Sequence, residues 1–434
     1  MRVNKKTNKQ VDKTQNSEHE TNKDMETLLK KYLKGDTTLW IVFIMLCILS
    51  AIEMYSASST LAYKAADHTA PMLRHVEFLA AGVMIVFLVH LIPYKIIRIV
   101  SYFGLLMSLL LLVYVLFKGK SENDATRWLV IFGVQFQPSE LGKLSVVIVA
   151  ADLISRIKDT ASNEWMYFRN TVIILVVIGG LILLENLSTA LILFMVVFIM
   201  MFIGRISMKY LASLAGILLV STLLGYGALK VIPKSSMPAM FDRGYTWVAR
   251  IERKFVGDKV AVASKYIIND ENLQEQHGRI AMARGGVFGV FPGNSIERDY
   301  LPQAYSDFIY AIIVEEMGLI GGIFVMLLYL ILLFRAGKIA TKCSSVFPAL
   351  LVIGLSLMIV IQALVSMVVS SGSGPVTGQP LPLISRGGTS ILITCIYFGI
   401  ILGITRQIKN ENELIDETIE SPDDGIPVVE LDSL

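Results

Sequence analysis

Residues 301–318 read LPQAYSDFIYAIIVEEMG, a polar loop that leads directly into a long apolar segment. Asp307 lies at this junction, and Glu315 and Glu316 follow inside the apolar segment. Ionisable groups are costly inside a hydrocarbon layer, and where they occur they usually serve a function. Asp307 is therefore the first candidate for chemistry, and the apolar segment behind it predicts a membrane-spanning helix.

The whole chain has the composition of a polytopic membrane protein. Of its 434 residues, 54% are hydrophobic and only 17% are charged, which excludes a disordered chain and an ordinary soluble domain. The formal net charge of +3 is too small to indicate a nucleic-acid partner. The three cysteines and five histidines have neither the spacing of a disulfide framework nor that of a metal site.

Ten apolar runs approach the ~20 residues that a helix needs to cross a bilayer. They cover residues 38–56, 76–94, 96–117, 138–155, 170–185, 188–204, 210–229, 307–334, 347–369 and 389–405. We therefore expect an all-α polytopic membrane protein, with ten transmembrane helices in residues 38–405. A large extracytoplasmic loop, about residues 230–306, is expected between helices 7 and 8.

The two tails indicate the orientation of the chain. Ten spans place both termini on one side of the membrane, and the lysine-rich N-terminal tail indicates that this side is the cytoplasm. Residues 1–37 are predicted to be a disordered cytoplasmic tail, because they are polar and rich in lysine. Residues 406–434 are predicted to be an acidic cytoplasmic tail.

Two interpretations of Asp307 are open. It can cap the following helix by accepting backbone N–H bonds, or it can act as a base. Glu315 would lie about 12 Å farther along a helix, which exceeds the ~5–9.5 Å that separates the carboxyl groups of a glycosidase. A single base suits group transfer better than hydrolysis. Glu315 and Glu316 are expected to be structural, paired to cations or to polar backbone.

A second group of candidates lies around the start of the fourth apolar run. Trp128 can be an interfacial anchor, or it can stack on a sugar while Arg127 reaches an anionic group. Glu140 and Lys143 are spaced i,i+3 and can pair on one helix face. The spacing leaves both a structural role and a substrate-binding role open for this pair.

Two glycine-rich segments complete the pattern. Residues 285–295, GGVFGVFPGNS, lack the Gly-Lys-Ser/Thr ending of a P-loop and the preceding strand of a dinucleotide-binding turn. They predict a tight loop at the membrane surface, whose N–H groups could still meet a phosphate. Residues 373–390, SGPVTGQPLPLISRGGTS, interrupt an apolar context, which requires a protein wall or a watery cavity. We expect this segment to line a site, with Arg386 available for an anion.

These segments, in this order, resemble the shape, elongation, division and sporulation (SEDS) family. The resemblance covers the ten apolar runs. It is most specific in residues 137–140 (QPSE), 285–295, 301–318 and 378–390. The long N-terminal tail and the sequence GQPLP at residues 378–382 resemble more closely the branch of the family that acts in cell division.

The resemblance implies an enzyme of septal cell-wall synthesis. Members of this family polymerise lipid II into peptidoglycan glycan strands by inverting glycosyl transfer. On the resemblance, Asp307 matches the family's essential loop aspartate and Trp128 matches a tryptophan of its first large outside loop. The undecaprenyl pyrophosphate leaving group requires positive charge. Candidates for that charge are Arg127, Arg243, Arg250 and Arg386. A divalent cation, Mg²⁺ or Mn²⁺, stays open as a cofactor.

The resemblance also implies partners and a location. The expected partners are lipid II, its undecaprenyl-pyrophosphate-linked glycan, a class B penicillin-binding protein and other divisome proteins. The expected location is the bacterial cytoplasmic membrane at the division septum. Small residues favour helix contacts in a bilayer. Candidates for a surface that receives the partner's single membrane helix are Gly318, Gly321, Gly322, Gly354 and Ser356.

Two other functions remain open. The chain could be a lipid II flippase, in which the charged residues of the membrane segments line a path. Such transporters often have inverted repeats with broken helices, and the sequence shows no clear pair of this kind. The chain could also be a non-catalytic scaffold that positions a class B penicillin-binding protein.

Overall fold

The fold is described from a computed structural model of the chain. The described residues are 34–57, 70–118, 120–122, 125–131, 134–159, 163–232, 242–255, 268, 272–302 and 304–420. The predicted tail at residues 1–33 and the last part of the predicted acidic tail, residues 421–434, lie outside this set.

Ten helices of 17 residues or more are present in the described residues, and each overlaps one of the ten predicted runs. They are α1 (Thr37–Ala57), α2 (Ala70–Leu91), α3 (Tyr94–Lys118), α4 (Pro138–Asp159), α5 (Glu164–Glu185), α6 (Leu187–Ile203), α7 (Met208–Val231), α11 (Ile309–Ala340), α12 (Val346–Ser370) and α13 (Thr389–Glu420). Three shorter helices lie between α7 and α11. They are α8 (Asp242–Phe255), α9 (Leu273–Gly285) and α10 (Glu297–Tyr300).

Within the described residues, eight helices are long and apolar enough to cross a membrane, not ten. The two exceptions have different causes. Helix α6 is apolar but has only 17 residues, while α4 carries charged residues such as Lys143 and Asp152 along its length. Helix α4 is buried along most of its length, where a more polar helix is tolerated, whereas α6 exposes large apolar side chains such as Leu191 and Phe202. Length and composition therefore support a polytopic membrane protein and leave the number of spans as a proposal.

The expectation of an all-α chain is wrong for the segment between α3 and α4. Three short strands form an antiparallel sheet in the order β1 (Lys120–Glu122), β2 (Ala125–Ile131) and β3 (Val134–Phe136). The run of Trp, Leu, Val and Ile in β2 has high β propensity and is too short to span a bilayer. Leu129 is opposite Phe136 in the register, and Leu129 is buried.

Helices α12 and α13 form the centre of the bundle. In each, 72% of the most apolar 18-residue window is buried, compared with 11% in α7. Gly354 and Ser356 of α12 face this centre: a Cβ on Gly354 would lie 2.6 Å from Met200 Sδ, and Ser356 has no exposed surface. The prediction that these two residues belong to a docking surface for a partner helix is therefore wrong.

Contacts and helix bounds are described for the inner part of each predicted tail. Asp36 lies before α1, but it is fixed to the bundle because Arg335 Nε donates to its Oδ2 at 2.6 Å. Lys34 Nζ donates to Asn410 Oδ1 at 3.3 Å. Helix α13 continues to Glu420, beyond the apolar run that ends at residue 405, because helix-forming polar residues follow it.

Candidate functional site

Asp307 lies in the turn that precedes α11, and its side chain is buried, with only 4% of the residue's surface exposed. The N-cap of α11 is Phe308, which does not support the interpretation of Asp307 as the capping residue. The final loop, residues 371–388, approaches the carboxylate directly. A Cβ built on Gly378 would lie 3.9 Å from Asp307 Oδ2, and Gly378 has a φ of +64°.

Arg386 lies in the same loop and reaches the residues just before Asp307. Its backbone N–H donates to the Tyr305 carbonyl at 2.9 Å, and its guanidinium lies over the Tyr305 ring, 5.5 Å from the centroid. Within the described residues no carboxylate forms an ion pair with Arg386. Arg386 is half-buried at this position, and its availability for an anion stays a prediction.

Arg74 is a neighbour of Arg386 that sequence reasoning missed. Burial lowers the pKa of the Arg386 guanidinium; Tyr305 opposes this effect, and the positive charge of Arg74 lowers the pKa further. Arg74 is exposed near the start of α2. Two neighbouring cations that repel each other form a region suited to an anionic group. In the sequence, more than 300 residues separate the two arginines, and no pattern connects them.

Glu140 and Lys143 form the predicted i,i+3 pair, with 2.8 Å between Glu140 Oε1 and Lys143 Nζ. Both side chains are buried. Lys143 Nζ also donates to Gln362 Oε1 at 3.0 Å, and Gln362 Nε2 donates to the Pro380 carbonyl at 3.2 Å. The pair is therefore connected through α12 to the loop that covers Asp307. Gln362 was not a candidate in the sequence, because a single glutamine in an apolar run gives no signal of its partners.

The remaining predicted residues lie in two separate places. Trp128 is half-buried in β2. Arg127 precedes it in the same strand, and its side chain is outside the described set. Arg243 and Arg250 lie in α8, and their side chains are also outside that set. Helix α8 is attached to α7, since Lys230 Nζ lies 2.9 Å from Glu252 Oε1.

The glycine-rich loop after α9 fills a break in α11. Gly318 has a φ of +69° inside that helix. Val290 N–H donates to the Glu315 carbonyl at 3.0 Å, Phe291 N–H to the Glu316 carbonyl at 2.8 Å, and Leu319 N–H to the Gly286 carbonyl at 2.9 Å. Two of the loop's N–H groups are thus occupied by the helix and do not face a phosphate; that other N–H groups of the loop meet a phosphate stays a prediction.

The same loop accounts for the two buried glutamates. Glu315 Oε2 accepts from Ser295 Oγ at 2.5 Å, and Glu315 Oε1 accepts from Ile296 N–H at 3.1 Å. Glu316 accepts a hydrogen bond from Ser56 Oγ of α1. The prediction that both glutamates are structural, paired with polar groups inside the bundle, agrees with these contacts.

Comparison with known proteins identifies a family. The model of a family of cell cycle proteins, FtsW, RodA and SpoVE, matches residues 36–410. The probable peptidoglycan glycosyltransferase FtsW of Bacillus subtilis is 31% identical over 399 residues, which are 89% of this chain and 94% of the relative. The protein of the same name from Haemophilus ducreyi is 32% identical over 320 residues, 71% of this chain and 72% of the relative.

Solved structures show the same fold. A chain from a peptidoglycan synthase complex, determined to show how polymerization and crosslinking are coordinated, has a TM-score of 0.65 at 23% identity and covers 86% of this chain and 98% of its own. The rod shape determining protein RodA of Thermus thermophilus has a TM-score of 0.60 at 22% identity, with 87% and 98% covered. At these identities the similarity establishes the fold alone.

Proposed function

The chain belongs to the FtsW, RodA and SpoVE family of cell cycle proteins, and we propose that it is a peptidoglycan glycosyltransferase, the activity for which its FtsW relatives are named. It is an integral bacterial membrane protein. The proposed reaction polymerises lipid II by inverting transfer. The 4-hydroxyl of a GlcNAc on one lipid II attacks the anomeric carbon of a MurNAc on the growing chain, and undecaprenyl pyrophosphate leaves.

The observation that carries this proposal is the position of Asp307. Its carboxylate lies at the end of the loop that precedes α11, a helix long and apolar enough to cross a membrane, and against the backbone of a second loop at Gly378. A general base must come within hydrogen-bond reach of the proton that it removes. Asp307 would accept the proton of the attacking hydroxyl as the new C–O bond forms, and the electron pair of the broken bond leaves with the pyrophosphate.

Arg386 and Arg74 would stabilise the leaving group. Pyrophosphate needs no proton to leave when cations meet its developing charge, so one carboxylate is enough for the reaction. Arg386 supports this role because it is half-buried beside the loop of Asp307 and has no carboxylate partner among the described residues. Arg127, Arg243 and Arg250 remain candidates for additional phosphate contacts.

In this proposal, a divalent cation would be bound only together with the phosphates of the substrate. Among the described residues, no group of three or more His, Cys, Asp and Glu side chains could hold a metal ion. A site made by the protein alone therefore does not fit these residues. Mg²⁺ is commonly held by one or two carboxylates together with substrate phosphates, and a Mg²⁺ or Mn²⁺ ion that accompanies the pyrophosphate is compatible with a single Asp307.

The topology and the partners follow from the same proposal. Ten spans, counting α4 and α6, place both termini in the cytoplasm and put α8, α9, α10 and Asp307 on the outside. That side is where lipid II is polymerised. A class B penicillin-binding protein would crosslink the strands, and with other divisome proteins it would locate the chain at the septum. The chain of known structure from a peptidoglycan synthase complex supports such a partnership by its fold.

The flippase alternative has less support. A broken helix is typical of transporters, and α11 is broken at Gly318. However, the glycine-rich loop fills that break, Glu315 and Glu316 accept hydrogen bonds from serines, and Glu140 pairs with Lys143. Within the described residues these charged groups are therefore engaged in structure. The scaffold alternative offers no reason for an aspartate at the junction of the two loops.

Purified protein and lipid II are sufficient to test the proposal. The full chain in detergent or liposomes, with and without a class B penicillin-binding protein whose transpeptidase is blocked, should convert lipid II into glycan strands that a gel resolves. A scaffold would produce no strands in either case. A flippase would move labelled lipid II across a liposome membrane without extending it, and either result would contradict the proposed activity.

A further inference from the structure

The geometry points to Ser370 and Ser385 as positioning residues that hold Asp307 in its productive orientation; this inference rests on the proposed function. Neither residue is expected to touch substrate. Both act on the backbone of the turn that carries the base. The two serines come from the end of α12 and from the final loop, so both lie in elements that follow the base in the chain.

Three consecutive carbonyl groups of this turn are bound by those elements. Arg386 N–H donates to the Tyr305 carbonyl at 2.9 Å. Ser385 Oγ donates to the Ser306 carbonyl at 2.5 Å, and Ser370 Oγ donates to the Asp307 carbonyl at 2.8 Å. A peptide segment fixed at three successive carbonyls has little freedom to rotate, so the Cα–Cβ direction of Asp307 is set by these bonds.

Ser385 is itself held in place by the loop. Its Oγ accepts from Leu381 N–H at 2.7 Å, and its own N–H donates to the Leu381 carbonyl at 2.9 Å. The hydroxyl thus uses its donor and an acceptor position at once, as a hydroxyl can. Ser385 has 2% of its surface exposed and Ser370 has none. A buried hydroxyl with defined partners on both sides, as at Ser385, is well suited to orient a neighbouring group.

Catalysis depends on the distance between the Asp307 carboxylate and the attacking hydroxyl. A base has to meet the proton of the attacking hydroxyl within ~2.6–3.2 Å, and a misplacement of about 1 Å can cost roughly 100-fold in rate. Without a hydroxyl at position 370 or 385, one of the three carbonyls loses its donor and the turn gains freedom. Substrate binding, which depends on other groups, should change little.

The experiment measures lipid II polymerisation by Ser370→Ala, Ser385→Ala and the double variant in the full-length purified protein. We expect kcat to fall roughly tenfold for each single variant and about 100-fold for the double variant, with KM changed less than twofold. Ser366→Ala is the matched control. Ser366 is a fully buried serine one turn earlier in α12, and its Oγ has no hydrogen-bond partner in the described residues. It should leave both constants unchanged.

Cysteine variants separate positioning from folding. Cysteine has a size close to that of serine but is a weak donor, so Ser370→Cys and Ser385→Cys should fold even if the alanine variants do not, and their kcat should still fall. Threonine keeps the hydroxyl, and the Ser370→Thr variant should keep a kcat close to that of the wild-type protein. The inference is overturned if the folded alanine or cysteine variants keep wild-type kcat, or if KM changes as much as kcat.

The reference variant Asp307→Asn distinguishes this inference from the proposed function. If Asp307→Asn abolishes turnover while the serine variants turn over normally, the positioning role alone is wrong. If Asp307→Asn keeps its turnover, the proposed base is wrong, and the serines have no catalytic group to position.

Discussion

Replacing Gly289 by alanine should destabilise the protein more than the same change at Gly293, although both glycines lie in one loop. Gly289 has a φ of +79° and Gly293 a φ of +90°, so alanine is strained at both positions, by about 1–2 kcal/mol. The surroundings differ. A Cβ on Gly289 would lie 2.2 Å from the Glu316 carbonyl oxygen, whereas a Cβ on Gly293 meets no atom within 4 Å.

The extra cost at Gly289 comes from the broken helix. Backbone cannot yield as a flexible side chain does, so the loop has to withdraw from α11. Withdrawal removes the hydrogen bonds from Val290 N–H to the Glu315 carbonyl and from Phe291 N–H to the Glu316 carbonyl. At ~0.5–1.5 kcal/mol for each bond, Gly289→Ala should cost about 2 kcal/mol more than Gly293→Ala. That difference corresponds to roughly a 30-fold change in the ratio of folded to unfolded protein.

Equilibrium unfolding in mixed micelles provides the assay. Each purified variant is titrated with sodium dodecyl sulfate while tryptophan fluorescence is followed, and the free energies of unfolding are compared at one detergent composition. Equal destabilisation by Gly289→Ala and Gly293→Ala would refute the reasoning, because only at Gly289 would the new Cβ clash with the backbone of α11.

Three further predictions test other parts of the molecule. Lys143→Met should lower the free energy of unfolding by about 3–5 kcal/mol, because it leaves Glu140 as a buried unpaired charge. Adding Glu140→Gln should recover most of that loss. A purely substrate-binding role for the pair predicts no change in the same unfolding titration. Trp128→Phe should keep part of the polymerisation rate and Trp128→Ala should lose most of it, since stacking needs an aromatic face; equal, small effects on turnover would indicate an interfacial anchor. In a cysteine-free background, an impermeant thiol reagent added from outside should label a cysteine placed at Ser235 and not one at Asn8, and the opposite pattern would invert the proposed topology.

Much of the helix pattern could be read from the sequence, because burial in lipid imposes apolar runs of a defined length. Each of the ten predicted runs overlaps a helix, and α12 (Val346–Ser370) differs from its predicted run, 347–369, by one residue at each end. The C-terminal end of α13 was harder to predict, although its first residue, Thr389, is also the first residue of the predicted run. Hydropathy indicates where a helix leaves the apolar layer, not where the helix ends. The polar part of α13, which continues to Glu420, therefore could not be predicted from hydropathy.

The break in α11 and the sheet before α4 were not foreseen for a different reason. Gly318 follows Glu315 and Glu316 inside a long apolar segment, and nothing local shows that its φ is positive. The break exists because residues 285–291 supply hydrogen bonds from a distant part of the chain. The strands β1–β3 are each seven residues or fewer, a length at which propensity is easily overridden or missed.

The candidate site was predicted in part. Asp307 and the pairing of Glu140 with Lys143 follow from position and spacing, which a sequence displays. Ser370 and Ser385 do not, because a serine reveals its partner only when the chain is folded. Arg74 belongs to the same class, since its proximity to Arg386 depends on the packing of α2 against α13.

Turnover of Asp307→Asn tests the central claim most directly. Asparagine keeps the shape of the side chain and removes the base, so polymerisation of lipid II by the purified variant should fall by about 100- to 10,000-fold. Its unfolding midpoint should stay at the wild-type value, because Phe308 and not Asp307 is the N-cap of α11. A folded Asp307→Asn protein that polymerises lipid II at a near-normal rate would contradict the assignment of Asp307 as the general base.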